Sequence, residues 1–589
     1  MSNSPDRKTP WWQDALLACG CLLLVFGVIF AECFTPEKVV FANDAPLAAI
    51  HAHAGDERLG WSNWQDLNWV GYEYPSAMPK FTQAFFELCR MVGGKKHAAV
   101  LFAKWYAPLS LVLLGFCAWL FFRALKFPQP VCILGALAIA LNGDLFSYTV
   151  WGLPSVALGA AGALLAMAAV IHGLRETGWR MAAWVILGGC GLGQGVMESF
   201  DVGGIFSIYV ALFMVMAAIN RANTTKATAL PLALRGMAAL IILTVASALM
   251  AGHALGNLMR TEGGAAARAK AQAEEQLKDI EGAFAAQIAN VRADPQIPPS
   301  QKKTIIDRLE KQRRDYLAIL RTQPFDAATQ WSVPPMESLR MIVPGLYGFR
   351  DDPHGWMNHP VAPEQQYWGR VGQSPGLVRL QAQHPKLQVA KQKFTEQYGG
   401  GPLVRHGSSG IYMGVLVLIG ALWALLQACR GADSVFDGTE RRWVFFWAIL
   451  ALGSLLLAWG HHAPFYALIY KLPFFNIIRN PIKFMHPCAL AVGVMFAYGL
   501  AGMARAYLDN RETNSSGADQ LRLWLKTLGG WERNWALTMA AMVGLGVLTW
   551  LFYWAMASDV EKHLVDFAGF AEEPAKAMAA GSWVSMGMA

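Results

Sequence analysis

A series of apolar runs, interrupted once by a long polar segment, constrains this chain more than any motif. A membrane span needs about 20 largely apolar residues. Runs of that kind fall at about 13–34, 99–122, 129–146, 154–172, 181–198, 204–220, 236–257, 409–429, 443–460, 485–504 and 535–557. Charged residues make up only 15% of the 589-residue chain, against roughly 25% in soluble domains. The expected fold is an all-α polytopic bundle of about 11 transmembrane helices. The runs near 129–146 and 181–198 are short and rich in Gly or Ala, which suits tilted or partly re-entrant helices. Residues 258–408 are too polar for lipid and are expected to project as a domain on one side of the membrane.

Lys and Arg mark the opposite side. Arg7/Lys8, Arg123/Lys126, Arg175/Arg180, Arg221/Lys226/Arg235, Arg430/Arg441/Arg442 and Arg505/Arg511/Arg522/Lys526/Arg533 fall on every second connection. Excess cationic residues mark the cytoplasmic face, so the N-terminus is expected inside. The loops near 35–98, 142–153, 199–203, 258–408 and 461–484 are expected outside, and an odd span count sends the tail out as well. The net charge of +8 follows from this sidedness, and nucleic acid is not an expected partner. The first apolar run resembles a signal peptide. It is long for one, however, and Glu-Cys-Phe follows it in place of a small-residue cleavage site, so an uncleaved anchor is expected. The nine cysteines lie mainly in spans without a CxxC pair, which argues against a disulfide framework or zinc site.

The organisation read from these patterns is a membrane bundle over 1–257, a polar insertion over 258–408, further membrane helices over 409–557 and a tail over 558–589. Within the insertion, 264–322 is rich in strong helix formers. Asp294-Pro295-Gln296-Ile297-Pro298-Pro299 interrupts it, because proline ends helices. A helical hairpin is expected there, serving as a solvated spacer or as a docking arm for an envelope protein. Residues 323–408 are aromatic and rich in Pro and Gly, and read as an irregular lid with little regular structure. The tail reads as an amphipathic surface helix.

Several polar residues sit close to the ends of the apolar runs, where an aqueous loop tolerates a carboxylate at little cost. Asp44, in Phe41-Ala42-Asn43-Asp44-Ala45-Pro46, is suited to take a proton from an acceptor hydroxyl, to ligate Mg²⁺ or Mn²⁺, or to cap a helix. It shares the first outer loop with Asp56, Glu57, Asp66, Glu73, His51, His53, Trp61, Trp64 and Trp69. Glu198 and Asp201 close the fifth run, and a spacing of three puts both on one helical face. Carboxylates at that depth tend to face the protein interior or a watery cavity, and this pair is a candidate for orienting a site or binding a metal. Asp144 is a weaker candidate in the second outer loop. Arg479 and Lys483, in Arg479-Asn480-Pro481-Ile482-Lys483-Phe484, are cations on the outer side. They suit either a donor phosphate or lipid headgroups. His461-His462 lie with this motif between the ninth and tenth runs, and His354 and His359 lack metal-motif spacing and read as lid surface or acceptor contacts. No Walker loop, Rossmann fingerprint or HExxH motif is present, so ATP-driven transport and zinc proteolysis lose support.

The order of several short motifs carries a resemblance. Asp44-Ala45-Pro46-Leu47 precedes Trp64-Gln65-Asp66-Leu67-Asn68-Trp69-Val70-Gly71. Trp331-Ser332-Val333-Pro334-Pro335-Met336-Glu337-Ser338-Leu339 and Val343-Pro344-Gly345-Leu346-Tyr347-Gly348 follow. Tyr367-Trp368-Gly369, Gly410-Ile411-Tyr412-Met413-Gly414, Leu472-Pro473-Phe474 and the Arg479–Phe484 motif complete the series. Over about 35–505 this order is similar to the YfhO-like bacterial integral membrane proteins, which belong with the GT-C glycosyltransferases. The resemblance implies a GT-C-like bundle in the bacterial inner membrane. It also implies transfer of a sugar from a polyprenyl-phosphate donor to an extracytoplasmic acceptor, such as a cell-envelope glycan or glycolipid. Asp44 matches the acidic base or metal ligand of the first outer loop, and Arg479 best matches the cation for the donor phosphate. The sequence departs from the oligosaccharyltransferase branch, which has an acidic pair where only Asp144 appears here, and the 264–322 hairpin matches no family motif. Two rival readings are a transporter or flippase of lipid-linked glycans, for which related halves are not evident, and a non-catalytic envelope assembly protein.

Overall fold

The structure is a computed structural model. It describes residues 10–40, 47, 50, 64–65, 72–73, 81–225, 229–349, 362–398, 400–404, 410–472, 475, 478–507 and 529–589. Its membrane part is built of helices: α1 Trp11–Ile29, α2 Phe81–Ala124, which is broken at Gly94 (φ 64°), α3 Gln129–Ala140, α4 Gly143–Trp151, α5 Pro154–Gly173, α6 Gly178–Glu198 and α7 Phe200–Thr225. Among the described residues eight helices are long and apolar enough to cross a membrane. A ninth is counted if α3 and α4, which meet at 50°, form one broken span. The run near 129–146 is therefore two helices, hinged where the Asn142 side chain accepts the Asp144 amide and caps α4. The other two expected spans coincide with α6 and with α12 Val415–Cys429, a shorter apolar helix.

Glycine content explains α6. Its Gly188, Gly191 and Gly195 face Ala166, Gly162 and Gly159 of α5, and an added Cβ at Gly195 would lie 3.2 Å from the Gly159 Cα. Small residues let helix backbones approach closely where lipid supplies no hydrophobic driving force between them. Gly189 and Gly193 meet Leu243, Ser247 and Met250 on the opposite side in the same way. The helix is thus clasped between two neighbours, and its C-terminal Glu198 is held in place.

The polar insertion begins without a break. A single helix, α8, runs from Ala229 to Ala293, so at about 1.5 Å per residue it extends roughly 100 Å from the membrane run into the hairpin. The chain turns at the expected proline segment, where Asp294 accepts the Gln296 amide, and α9 returns over Pro299–Thr329. Arg379 clamps the end of α9 through two hydrogen bonds to Asp326, of 2.9 and 2.6 Å. Beyond it the lid is more regular than its composition suggests. It contains 3₁₀ turns and two helices, α10 Pro375–Gln383 and α11 Leu387–Tyr398, which close on Leu377, Leu380, Leu387 and Ala390. After α12 come α13 Gly438–Ala458, α14 Pro464–Tyr470, α15 Met485–Tyr507 and α16 Gly530–Ala555. The tail forms two helices, α17 Ala557–Asp566 and α18 Glu572–Met588, which pack back onto Trp368 of the lid.

The basic connections gather at one end of the bundle. Arg123 pairs with Asp14, Arg175 donates to the Ala124 carbonyl, Arg442 to Asn220, and Arg505 to both oxygens of Glu440. Glu440 also completes a capping box with Asp437 at the start of α13.

Candidate functional site

Two acid–base pairs meet at the start of α15. A 3₁₀ turn over Pro481–Phe484 leads into the helix after Asn480, which adopts a left-handed φ of 66°. That turn carries Lys483, and the first turn of α15 carries His486. The Lys483 ammonium forms an ion pair with Asp201 Oδ2. His486 Nδ1 lies 2.6 Å from Asp144 Oδ2, and its ring stands edge-on to Tyr148 at 4.7 Å. The environments of the pairs differ sharply. Asp144 and His486 are both 0% exposed, whereas the side chains of Asp201 and Lys483 are 33% and 18% exposed. A sealed pair cannot touch a substrate. Asp144 with His486 therefore anchors the start of α15 and fixes Lys483 one turn away, while the half-open pair is available for chemistry. His486 is also close enough to contribute to the electrostatic environment of Asp201.

Glu198 and Asp201 do not share a helical face. The chain becomes extended at Ser199, so Glu198 ends α6 and Asp201 lies in the first turn of α7. The spacing of three misled because it spans a helix break. Glu198 accepts the Thr82 amide at 3.0 Å and the Thr82 hydroxyl at 2.5 Å, and that hydroxyl also contacts the Tyr106 phenol. Asp201 Oδ1 accepts the Val202 amide at 2.8 Å. Both carboxylates are thus engaged by protein donors, Glu198 by neutral hydrogen-bond donors and Asp201 by the Lys483 ammonium as well. Among the described residues no three His, Cys, Asp or Glu side chains are arranged to hold a metal ion.

The lid is tied to this region through its backbone. The Asn480 amide donates to Ala328, Ile482 to Trp331, Val333 to Ala458 and Gly143 to Tyr412. The last contact is close: a Cβ on Gly143 would lie 2.6 Å from the Tyr412 carbonyl oxygen. Two of the resemblance motifs, around Trp331 and Tyr412, therefore meet the segments that carry Lys483 and Asp144. Deeper in the lid, Glu337 is fully enclosed. It accepts from the Tyr367 hydroxyl at 2.7 Å and the Arg370 amide at 2.6 Å, with Arg340 at 3.5 Å. Burial pushes its carboxyl pKa up, and Arg340 and the hydrogen bonds only partly offset that rise.

His461 and His462 lie ring against ring, centroids 3.9 Å apart and planes inclined at 38°, and His461 Nδ1 lies 2.9 Å from the Thr329 carbonyl. Burial, with smaller effects from His461 and Arg370, drives the His462 pKa from 6.5 to about 3. The folded protein therefore holds this ring neutral, while an unfolded chain protonates it. Stability tied to His462 is complete above pH 6.5 and declines as pH falls from there towards 3. Thermal unfolding midpoints of the native protein should fall more steeply across that range than those of His462→Gln. Parallel pH curves would contradict this assignment.

Of the expected site residues, the structure brings Asp201 and Lys483 together, and Glu198 closes the helix adjoining Asp201. Arg479 lies four residues before Lys483, exposed on the same connection. Asp44 lies outside the described residues, as do His51, His53, Asp56, Glu57, Trp61, Asp66, Trp69, His354 and His359. The loop around them contributes a short antiparallel pairing of β1 Trp64–Gln65 with β2 Tyr72–Glu73. Asp144 is more central than its sequence context suggested. His486, Thr82 and Tyr106 were not anticipated. Only His486 carried a signal, as an isolated imidazole in an apolar run three residues after Lys483. Comparison with known proteins gives no matching family model, no matching curated protein and no matching solved structure.

Proposed function

We propose that the chain is a GT-C-type glycosyltransferase, moving a sugar from a polyprenyl-phosphate donor to an extracytoplasmic acceptor in the bacterial cell envelope. The observation that carries this reading is the half-open Asp201–Lys483 pair beside the sealed Asp144–His486 pair. Charged groups within membrane helices are costly and mark functional sites by default. Here a cation that is partly accessible sits on the same connection as a second, exposed cation. The motif resemblance and the lid contacts at the same segments support the same reading.

In this mechanism the donor lipid lies along the spans with its phosphate at Arg479 and Lys483. The bond between the sugar's anomeric carbon and the phosphate oxygen breaks, and an acceptor oxygen forms the new bond. The acceptor proton passes to a carboxylate, the role that the resemblance gives to Asp44. The leaving phosphate gains negative charge, which the two cations stabilise most strongly as it develops. Asp201 holds Lys483 in position until the phosphate competes for it. No step needs a divalent cation from Glu198 and Asp201, whose oxygens already have protein partners.

Donor capture is the direct test of the phosphate assignment. Arg479→Gln should weaken binding of a polyprenyl-phosphate sugar to the full-length protein in nanodiscs by about tenfold, the scale of one lost charge-assisted hydrogen bond. Unchanged affinity would remove Arg479 from the site. The α8–α9 hairpin is read separately as an arm for an envelope partner. Deleting 264–322 should lose that partner and leave transfer intact.

A further inference from the structure

A cavity of about 330 Å³ lies where the lid meets α17 of the tail. That volume is at the lower end of the roughly 300–1,000 Å³ of small-molecule pockets, so the occupant is small. Its walls include Glu337, Tyr347, Trp368, Arg370, Gln381 and His563. Tyr347 and Trp368 form an aromatic corner, with ring centroids 4.4 Å apart and planes inclined at 48°. Such rings offer apolar faces to the C–H surface of a sugar, and the Trp368 ring is held in place by its indole N–H, which donates to the Ser582 hydroxyl at 3.2 Å.

The charge balance of the wall is specific. The carboxylate of Glu337 is satisfied by Tyr367, the Arg370 amide and Arg340. The Arg370 guanidinium is exposed, and no carboxylate of the described residues forms an ion pair with it. His563 adds a second group able to meet an anion. Gln381 is held by its amide nitrogen, which donates to the Phe567 carbonyl at 3.4 Å, so its oxygen cannot exchange places with the nitrogen without facing that carbonyl. Gln381 and its cavity neighbour Gln373 each keep an amide oxygen without a hydrogen-bond partner. The wall therefore combines unmet acceptor capacity, an exposed cation that feels Glu337 only at a distance beyond an ion pair, and an aromatic corner.

We infer that this cavity binds an anionic saccharide unit, a sugar bearing a carboxylate or a phosphate. Arg370 forms a charge-assisted pair with the anion, the aromatic corner supports the ring, and the size of the cavity limits occupancy to about one unit. Its use as an acceptor site rests on the transferase reading, but the binding does not. Titrations without donor lipid therefore separate failure of one from failure of the other.

The test is calorimetric titration of the full-length protein in nanodiscs with glucuronate, glucose 1-phosphate and glucose. At least one anionic sugar should bind about tenfold more tightly than glucose, the effect of one charge-assisted contact. A preference for glucuronate identifies a carboxylate ligand, and a preference for glucose 1-phosphate identifies a phosphate ligand. Arg370→Gln should abolish the preference without unfolding the lid, because the Glu337 contact uses the backbone amide. Met336→Trp should weaken all binding by filling the cavity mouth, since Met336 lines the cavity and is 67% exposed. Equal binding of all three sugars, a preference that survives Arg370→Gln, or no binding by any sugar would overturn the inference.

Discussion

Replacing His486 with leucine should destabilise the protein by about 3–5 kcal/mol, the cost of removing one partner from a buried acid–base pair. Asp144 is 0% exposed, and one of its oxygens already lacks a hydrogen-bond partner. Without His486 the other loses its 2.6 Å contact, and nothing in an apolar interior replaces it. The Asp144→Leu/His486→Leu double variant should recover most of the loss, because removing both partners leaves no orphaned carboxylate. Denaturant unfolding of the four proteins in one detergent reads this coupling directly. A double variant as unstable as His486→Leu alone, or a His486→Leu protein as stable as the parent, would show that the two residues are not energetically joined.

The second large effect concerns rate. Lys483→Gln should slow glycosyl transfer by about 10²–10³-fold, the usual cost of removing one group that stabilises developing charge. Asp201→Asn should also slow it, by releasing Lys483 from its position. Stability should change much less than in the His486 series, because the Asp201–Lys483 pair is partly open to solvent and exposed pairs contribute about 0–1 kcal/mol. Lys483→Arg keeps the charge and should retain more activity than Lys483→Gln. Single-turnover rates alongside unfolding midpoints separate the outcomes. A large stability loss with the rate preserved would make Lys483 a structural residue.

Much of the bundle was legible because apolar runs of membrane length leave few alternatives, and each expected run has a helix. The hairpin turn was equally legible, since the prolines at 295, 298 and 299 cannot continue a helix from α8. The break between Glu198 and Asp201 was not, because Ser199 and Phe200 carry no Pro or Gly signal. The lid helices were hidden by the Pro- and Gly-rich composition around them. In hindsight Pro375 sits in the first turn of α10, a favoured place for proline, and Leu377 and Leu380 follow at helical spacing. For the candidate site, charge at the ends of apolar runs identified Asp201, Lys483 and Glu198. Their partners were beyond reach: Thr82 meets Glu198 across 116 positions and Asp144 meets His486 across 342. Pairing at that range is set by helix packing, which the order of residues alone does not disclose.

The central claim is that the half-open ion pair serves sugar transfer at the lipid interface. It is tested most directly with the full-length protein in liposomes containing a polyprenyl-phosphate donor with a labelled sugar. The claim predicts that label leaves the lipid and becomes attached to an acceptor, and that Lys483→Gln suppresses this without loss of folded protein. Labelled lipid that crosses the bilayer with its sugar still attached, at the same rate with Lys483→Gln, would contradict it.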